Sequence, residues 1–374
     1  MDALFTAPIG LEDVSALDLK EMGVSVWEKG RGWIRGEVKD YLHLAEITYR
    51  SRGIKRGILL LKEARVSSLD DVYSAVKEID WEPFIHPDTT FACRSSRMGA
   101  HPFTHLDVER ISGAAIIDSL PYRPKVNLEN PDVIVRVNLY QDRLFIGIDF
   151  TGIHAMDKRR YRAFDHRAAL NPVIASLMVR LAQKYSKNLN RLLDPFTGGA
   201  TIPIEACHRF RNVPAGYFRK GEMGFTRLPF LKNVNWHENF DKWDGEIRWD
   251  VKKGIFAMDN SPKSIEGAME NLEKAMVKDC IDLRLMDMEG MDSHFENIDA
   301  IITNPPYGIR ERNLKRALKL HRALSEKGKK VLRKGGIMVV ITPHYHMFEG
   351  WDILEKRQVV SGGLEVFVMV MHNP

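Results

Sequence analysis

The chain of 374 residues predicts an α/β protein built in several parts, and three observations carry that prediction. From about residue 171 onward, apolar runs of strand length alternate regularly with helix-periodic runs, as in a doubly wound sheet. Before that point strands and helices mix without strict alternation, which reads as α+β. Four of the later runs end on a polar residue (Asp194, Asp259, Asp287 and Asn304), at the carboxyl edge where open α/β sheets place ligands. The length exceeds one ordinary domain. The expected segments are a small ferredoxin-like α+β unit over 1–45, a second α+β domain over 46–153, a basic linker over 154–170 and the doubly wound domain over 171–374.

Taken in order, glycine-punctuated pieces at 24–27 and 32–38 predict short strands. The pattern over 68–79 predicts a helix, 90–94, 133–138 and 143–148 predict strands, and 104–120 predicts a second helix. Asn171-Pro172 opens the next helix, with proline in the first turn where it is tolerated. Five strands are then expected, at 192–194, 254–259, 281–287, 298–303 and 336–342. The helix after Asp259 is the best marked: Ser261 caps it, Pro262 opens it, and Ile265, Ala268, Met269, Leu272 and Met276 form an apolar stripe. An antiparallel hairpin of 357–360 and 364–371, joined through Gly362-Gly363, closes the sheet. Residues 211–249 are rich in aromatics, lack clear periodicity and read as an insertion.

Composition narrows the class. Hydrophobic residues make up 44% and charged residues 28%, as in a globular protein with a full core. No apolar run reaches the ~18 residues a membrane span needs, and Met1-Asp2-Ala3-Leu4-Phe5 lacks the pattern of an export signal. The expectation is a soluble, cytoplasmic protein without membrane attachment. Cys93, Cys207 and Cys280 stand far apart without C-x-x-C spacing, and His101/His105 and His344/His346 have no ligand cluster near them, so no disulfide framework and no metal are expected. The net charge of +5 is uneven, with 19 Lys+Arg against 24 Asp+Glu over residues 1–157 and 36 against 26 over 158–374.

The strand ends carry the chemistry. Asp194-Pro195-Phe196-Thr197-Gly198-Gly199-Ala200-Thr201 is a strand-to-helix turn of small residues, which lets backbone approach a ligand, but it has no G-K-[ST] and is not a P-loop. Asp259 stands where a carboxylate can bind a ribose diol, 65 residues after Asp194, a gap the insertion accounts for. Asp287 is placed to accept from an exocyclic amine. Asn304-Pro305-Pro306-Tyr307, closed by Gly308, puts a carboxamide, a rigid turn and an aromatic ring at a strand's lip. That equipment holds a planar group by its amine: adenine N6, guanine N2 or a glutamine amide.

These residues resemble a class I S-adenosylmethionine-dependent methyltransferase of the amino-methylating kind, with a Rossmann-like sheet. Upstream, Phe91-Ala92-Cys93-Arg94-Ser95-Ser96-Arg97-Met98-Gly99-Ala100-His101, with Asp107-Val108-Glu109-Arg110 and Gly113, resembles the THUMP domain of RNA-modifying enzymes. Together they are similar to the archaeal and bacterial tRNA guanine-N2-methyltransferases acting at position 6 of the acceptor stem. The family's turn usually has glycine where this chain has Ala200. THUMP methyltransferases acting at guanine 10 usually have Asp where this chain has Asn304.

The resemblance implies a cofactor, S-adenosyl-L-methionine, held by the turn 194–200, by Asp259 and Asn260, by Asp287 and Met288, and by Asn304. It implies that Asn304 and the Pro305 carbonyl accept the amine hydrogens, with Pro306 shaping the turn and Tyr307 stacking on the base. It implies tRNA as partner. Because residues 1–157 are net acidic, local basic patches are expected to meet its phosphates: Arg94 and Arg97, the linker's Lys158, Arg159, Arg160 and Arg162, and Arg310, Arg312, Lys315 and Arg316. A monomer is expected. N2-methylation of guanosine 10 or of a ribosomal RNA guanosine, and a non-catalytic RNA-binding protein on a degenerate methyltransferase fold, stay open. An adenine-N6 DNA enzyme is a further reading.

Overall fold

The computed structural model describes residues 1–164, 169–186, 188–308 and 313–373. Two sheets organise them. The first contains β1 (Asp2–Thr6), β2 (Ser25–Gly30), β3 (Trp33–Glu37), β4 (Arg56–Arg65), β5 (Thr90–Arg94), β6 (Arg97–Met98), β7 (Lys125–Val126), β8 (Val133–Tyr140) and β9 (Arg143–Asp149). Its order is β2-β3-β1-β4-β9-β8-β5-β7, with β6 added on β8. Because β4 pairs with both β1 and β9, residues 1–45 and 46–153 share one continuous sheet.

Helices α1 (Glu12–Glu21), α2 (Tyr41–Arg50), α3 (Leu69–Lys77) and α4 (His105–Ser119) accompany it. Ser68 and Thr104 close capping boxes with Asp71 and Asp107, which fixes where α3 and α4 begin. At the end of β9 the buried Asp149 carboxylate accepts from Arg56 on β4 (2.6 Å) and Arg136 on β8 (2.7 Å), tying three adjacent strands.

The second sheet holds β10 (Arg191–Asp194), β11 (Gly254–Asp259), β12 (Ile281–Leu285), β13 (Ile298–Thr303), β14 (Leu332–Thr342), β15 (Asp352–Ser361) and β16 (Leu364–His372). The order is β12-β11-β10-β13-β14-β16-β15. Strands β10 to β14 are parallel, and β15 and β16 form the antiparallel hairpin. Helices α5 (Pro172–Tyr185), α6 (Thr201–Phe210), α7 (Trp236–Asp244), α8 (Pro262–Lys274) and α9 (Leu314–Val331) complete the chain. Residues of α5, α6 and α8 pack on one face of the sheet and those of α9 on the other. Strand order runs outward from β10 through β11 to β12 and, on the other side, through β13 to β14. The topological switch point therefore lies between β10 and β13.

Three expectations change. The buried face of α8 is Ser264, Gly267, Ala268, Asn271 and Leu272, while Met276 lies beyond the helix, 51% exposed and at φ +58°. The helix ends before completing the predicted stripe. Strand β12 stops at Leu285, so Asp287 lies on the following turn, where it caps a short 3₁₀ segment. The 211–249 insertion holds 3₁₀ turns and α7, and its Phe225, Phe240 and Trp243 complete the core of the first sheet.

That insertion clamps the two halves together. Tyr49 of α2 packs on Phe240 and Trp243, with ring centroids 4.9 and 5.6 Å apart, and its hydroxyl donates to Asp244 Oδ1 at 2.8 Å. A second junction is Glu205 on α6, fully buried, which accepts from Arg52 (2.6 Å), Arg159 (3.1 Å) and the Tyr161 hydroxyl (2.9 Å). Burial pushes the Glu205 carboxyl up, but Arg159 and Arg52 outweigh it and hold it at about 2.

Candidate active site

Four strand ends meet along one edge of the second sheet, and hydrogen bonds join them. Asp194 at the end of β10 is 1% exposed, and its Oδ1 accepts from Thr303 Oγ1 at 2.7 Å and from the Phe196 N–H at 3.2 Å. Thr303 ends β13, so this bond crosses the switch point. Burial pushes the Asp194 carboxyl up to about 7, with Asp259 adding to the push, against the hydrogen bonds from Thr303 and Phe196.

The turn 194–200 is tied to β11. Thr197 N–H donates to the Met258 carbonyl, and Gly198 N–H to Asp259 Oδ2, both at 3.0 Å. Asp259 Oδ1 also accepts from the Ser261 N–H at 3.0 Å. Asn260 donates to Asp287 Oδ2 at 2.8 Å, which links the β11 end to the β12 end. Asp287 is exposed, and its other oxygen accepts the Glu289 N–H at 2.8 Å. That amide bond and Asn260 hold its carboxyl below the usual range. Met288 is buried beneath it.

Ala200 takes the conformation that glycine favours, with φ 61° and ψ 29°, and starts α6 from there. A left-handed alanine costs about 1–2 kcal/mol. Ala200 N–H donates to the Thr197 carbonyl at 2.8 Å, which closes the turn. Gly199 is closely covered: a Cβ there would come within 3.2 Å of Asn271 Nδ2.

Asn304 and Tyr307 are half-buried and Pro305 is buried just past β13, beside the Asp194 turn. The Tyr307 carbonyl accepts from His344 Nε2 at 2.7 Å. Gly308, at φ +75°, turns the chain where a Cβ would come within 2.9 Å of Leu314 Cα.

Sequence reasoning missed Thr303 and Asn271. Asn271 on α8 donates to the carbonyls of Gly199 (2.9 Å) and Phe164 (3.0 Å) and accepts from the Ala163 and Phe164 amides. It joins the end of the linker to the glycine turn. The signal was available as an asparagine on the buried face of a patterned helix.

The basic candidates separate. Arg97 is exposed, with Nη1 2.9 Å from His101 Nδ1 and donating to the Gly99 carbonyl. Arg94 is half-buried and donates to the Cys93 and Leu128 carbonyls. Lys158 and Arg160 are exposed, with Arg160 paired to Glu222 at 2.8 Å. Arg162 is half-buried and donates to Thr201 Oγ1 at 2.9 Å. Arg159 corrects the expectation of a phosphate contact: it is 5% exposed and spent on Glu205 and the Met156 carbonyl, out of reach of any polyanion. Lys315 and Arg316 are exposed at the start of α9, whereas Arg310 and Arg312 lie outside the described residues.

Among the described residues no three His, Cys, Asp or Glu side chains are grouped to hold a metal, and no helix is long and apolar enough to cross a membrane. The three cysteines are buried and free.

Comparison with known proteins decides the family. Residues 159–365 match the family described as RMKL-like, methyltransferase domain, and residues 66–149 match the THUMP domain. A Methanocaldococcus jannaschii protein named tRNA (guanine(6)-N2)-methyltransferase is 37% identical, over 97% of this chain and 98% of its own length. The chain belongs to this THUMP-containing methyltransferase family. An Archaeoglobus fulgidus protein of the same name is 36% identical, over 96% of this chain and 89% of its own length. A solved methyltransferase-like chain complexed with SAH superposes with a TM-score of 0.85 over 100% of this chain and 98% of its own, and at 21% identity it shows the fold alone.

Membership makes the protein an S-adenosylmethionine-dependent methyltransferase. The strand-end residues fit such a cofactor. A buried carboxylate held near neutrality seeks a cationic partner, and the close-packed Gly198-Gly199-Ala200 turn leaves backbone near the edge.

Proposed function

We propose that the protein methylates the exocyclic N2 of guanosine 6 in the acceptor stem of tRNA, giving N2-methylguanosine. The likeness that carries this reading is the near full-length match to relatives named for that reaction, at 36–37% identity. The local support is an asparagine, Asn304, at the switch point beside Asp194.

When bound, the cofactor supplies an activated sulfonium methyl. Asp194 and the turn through Phe196, Gly198 and Ala200 would hold its cationic end, Asp259 with Asn260 its ribose, and Asp287 with Met288 its adenine. The rest falls to the chain's own residues. Asn304 Oδ1 and the Pro305 carbonyl accept the two hydrogens of the guanine amine, which turns the nitrogen lone pair out of conjugation and toward the donor. Tyr307 gives the extruded base a surface to stack on, which offsets the few kcal/mol that unstacking costs. No strong base is required, because the donor is already activated and the amine, once methylated, is acidic enough to give up its surplus proton to water.

The THUMP half captures tRNA, and exposed cations on β6 (Arg97), in the linker (Lys158 and Arg160) and at the start of α9 (Lys315 and Arg316) meet phosphates. The enzyme works in the cytoplasm as a monomer. Relatives named ribosomal RNA large subunit methyltransferase K/L are 24–26% identical, and the chain spans only 44–51% of their length, which favours the tRNA reading. The deciding experiment is mass spectrometry of nucleosides from tRNA treated with enzyme and isotopically labelled S-adenosylmethionine, mapped by fragment. Label on N2-methylguanosine at position 6 is expected, and label on another base or position overturns the reading.

A further inference from the structure

The turn 304–307 is held from behind by a chain of hydrogen bonds whose every proton can be assigned. It starts on α9, where His321 Nδ1 lies 2.8 Å from the Ala317 carbonyl. A carbonyl only accepts, so Nδ1 carries the proton. His321 is fully buried, and burial, with His344 and His346 adding, pushes it down to about 4. The ring is neutral at working pH, and Nε2 is an acceptor.

Thr342 Oγ1, 2.7 Å away at the end of β14, therefore donates to His321 Nε2. The same oxygen accepts the His344 backbone N–H at 2.9 Å. His344 Nε2, 2.7 Å from the Tyr307 carbonyl, must in turn donate to it. The two imidazoles stand edge to face with centroids 5.0 Å apart, which locks the second ring in place. Ala317 closes the arrangement: its carbonyl receives His321, and its Cβ lies 2.9 Å from where a Gly308 Cβ would sit.

Burying two imidazoles and a hydroxyl costs free energy that an apolar core would not. The output of that chain is the orientation of one peptide, Tyr307–Gly308. We propose that His344, aligned through Thr342 and His321, is a positioning residue that fixes the Tyr307–Gly308 peptide and with it the direction of the Tyr307 ring. The proposal rests on the reading of 304–307 as the site that holds the target base. It gives a role to a histidine for which sequence reasoning had considered only metal ligation.

The test is steady-state methyl transfer to an unmodified tRNA transcript carrying guanosine at position 6, alongside cofactor calorimetry and thermal melting. For His344→Phe, kcat is expected to fall about 10–100-fold, since misplacement of a base by about 1 Å costs that much. The KM for tRNA, the Kd for S-adenosylmethionine and the melting temperature should stay near wild type. His344→Gln, whose amide N–H can replace the Nε2 donor, should recover about tenfold or more over the Phe variant. Thr342→Val, close in shape but without the hydroxyl, should lose kcat in the same direction. Wild-type kcat in His344→Phe, or a loss that glutamine does not relieve and that cofactor affinity shares, overturns the proposal alone. A wild-type protein that leaves guanosine N2 unmethylated overturns the reading of the site and the proposal with it.

Discussion

Thr303 Oγ1 donates to Asp194 Oδ1 at 2.7 Å, and this bond joins the two strands between which the sheet reverses its order. Both residues are buried, so the hydroxyl is among the few groups that stabilise the ionised form of a carboxyl otherwise pushed up to about 7. Ligands of open α/β sheets collect at such a switch point, and here its two sides carry the carboxylate and the Asn304 turn.

Replacing Thr303 by Val keeps the shape and removes that donor. The Asp194 carboxyl should then rise further, and affinity for S-adenosylmethionine at pH 7 should fall by about 10–150-fold, the equivalent of ~1.5–3 kcal/mol for a hydrogen bond to a charged group. Calorimetry at fixed pH checks it, and unchanged affinity would remove Thr303 from the site.

Cofactor binding should be linked to protons. Asp194 is raised in the folded protein from an ordinary 3.8 to about 7, so its contribution to stability is present below 3.8 and is lost as pH rises through 7. A bound cation favours the ionised carboxyl. At about pH 6 binding should therefore release close to one proton, with little release by about pH 8. Affinity should climb between those values and level off, and Asp194→Asn should flatten the profile. Calorimetry in buffers of different ionisation enthalpy measures the proton count; an affinity independent of pH in wild type would contradict the assignment.

Asn304→Ala should lower turnover by about 10²-fold or more while S-adenosylmethionine still binds, because the acceptor acts on the amine as charge develops. Single-turnover transfer with saturating tRNA separates chemistry from binding. Near-normal turnover would sink the proposed role.

Asp149→Asn should destabilise the first sheet by about 3–5 kcal/mol, since it leaves Arg56 and Arg136 paired to no charge in a buried place. Burial pulls the Asp149 carboxyl upward, yet Arg56 and Arg136 outweigh it and hold it below 3.8. Its stabilisation is accordingly present above 3.8 and lost as pH falls below. Urea midpoints of wild type and variant should converge in acid, and parallel curves would show that the charge contributes nothing.

Arg94→Ala with Arg97→Ala should weaken tRNA binding and leave cofactor affinity unchanged. If both reach phosphates, the slope of log K against log salt should shrink by about 1.4–1.8. Arg97 should account for more of it, because Arg94 already serves the Cys93 and Leu128 carbonyls.

Sequence by itself determined what is local. The alternation after residue 171, the helix starts at 68, 104 and 171, the Ser261 cap and the closing hairpin are written as periodicity and as residues with one preferred place, so they were legible without a partner. Asp194 and Asp259 at their strand ends, and Asn304 just past β13, were legible for the same reason, since a strand end is marked where an apolar run stops, whereas the run toward Asp287 overshoots β12 by two residues. Tertiary structure alone decided their neighbours. Thr303 is separated from Asp194 by 109 residues, and nothing in either run announces the pair. Arg159 looks like its exposed neighbours Lys158 and Arg160 until Glu205, 46 residues away, draws it into the core. The His321–Thr342–His344 chain is assembled from α9 and the end of β14. Hydrogen-bond partners across a sheet are set by strand order and register, which depend on the whole packed core and not on any one segment's pattern.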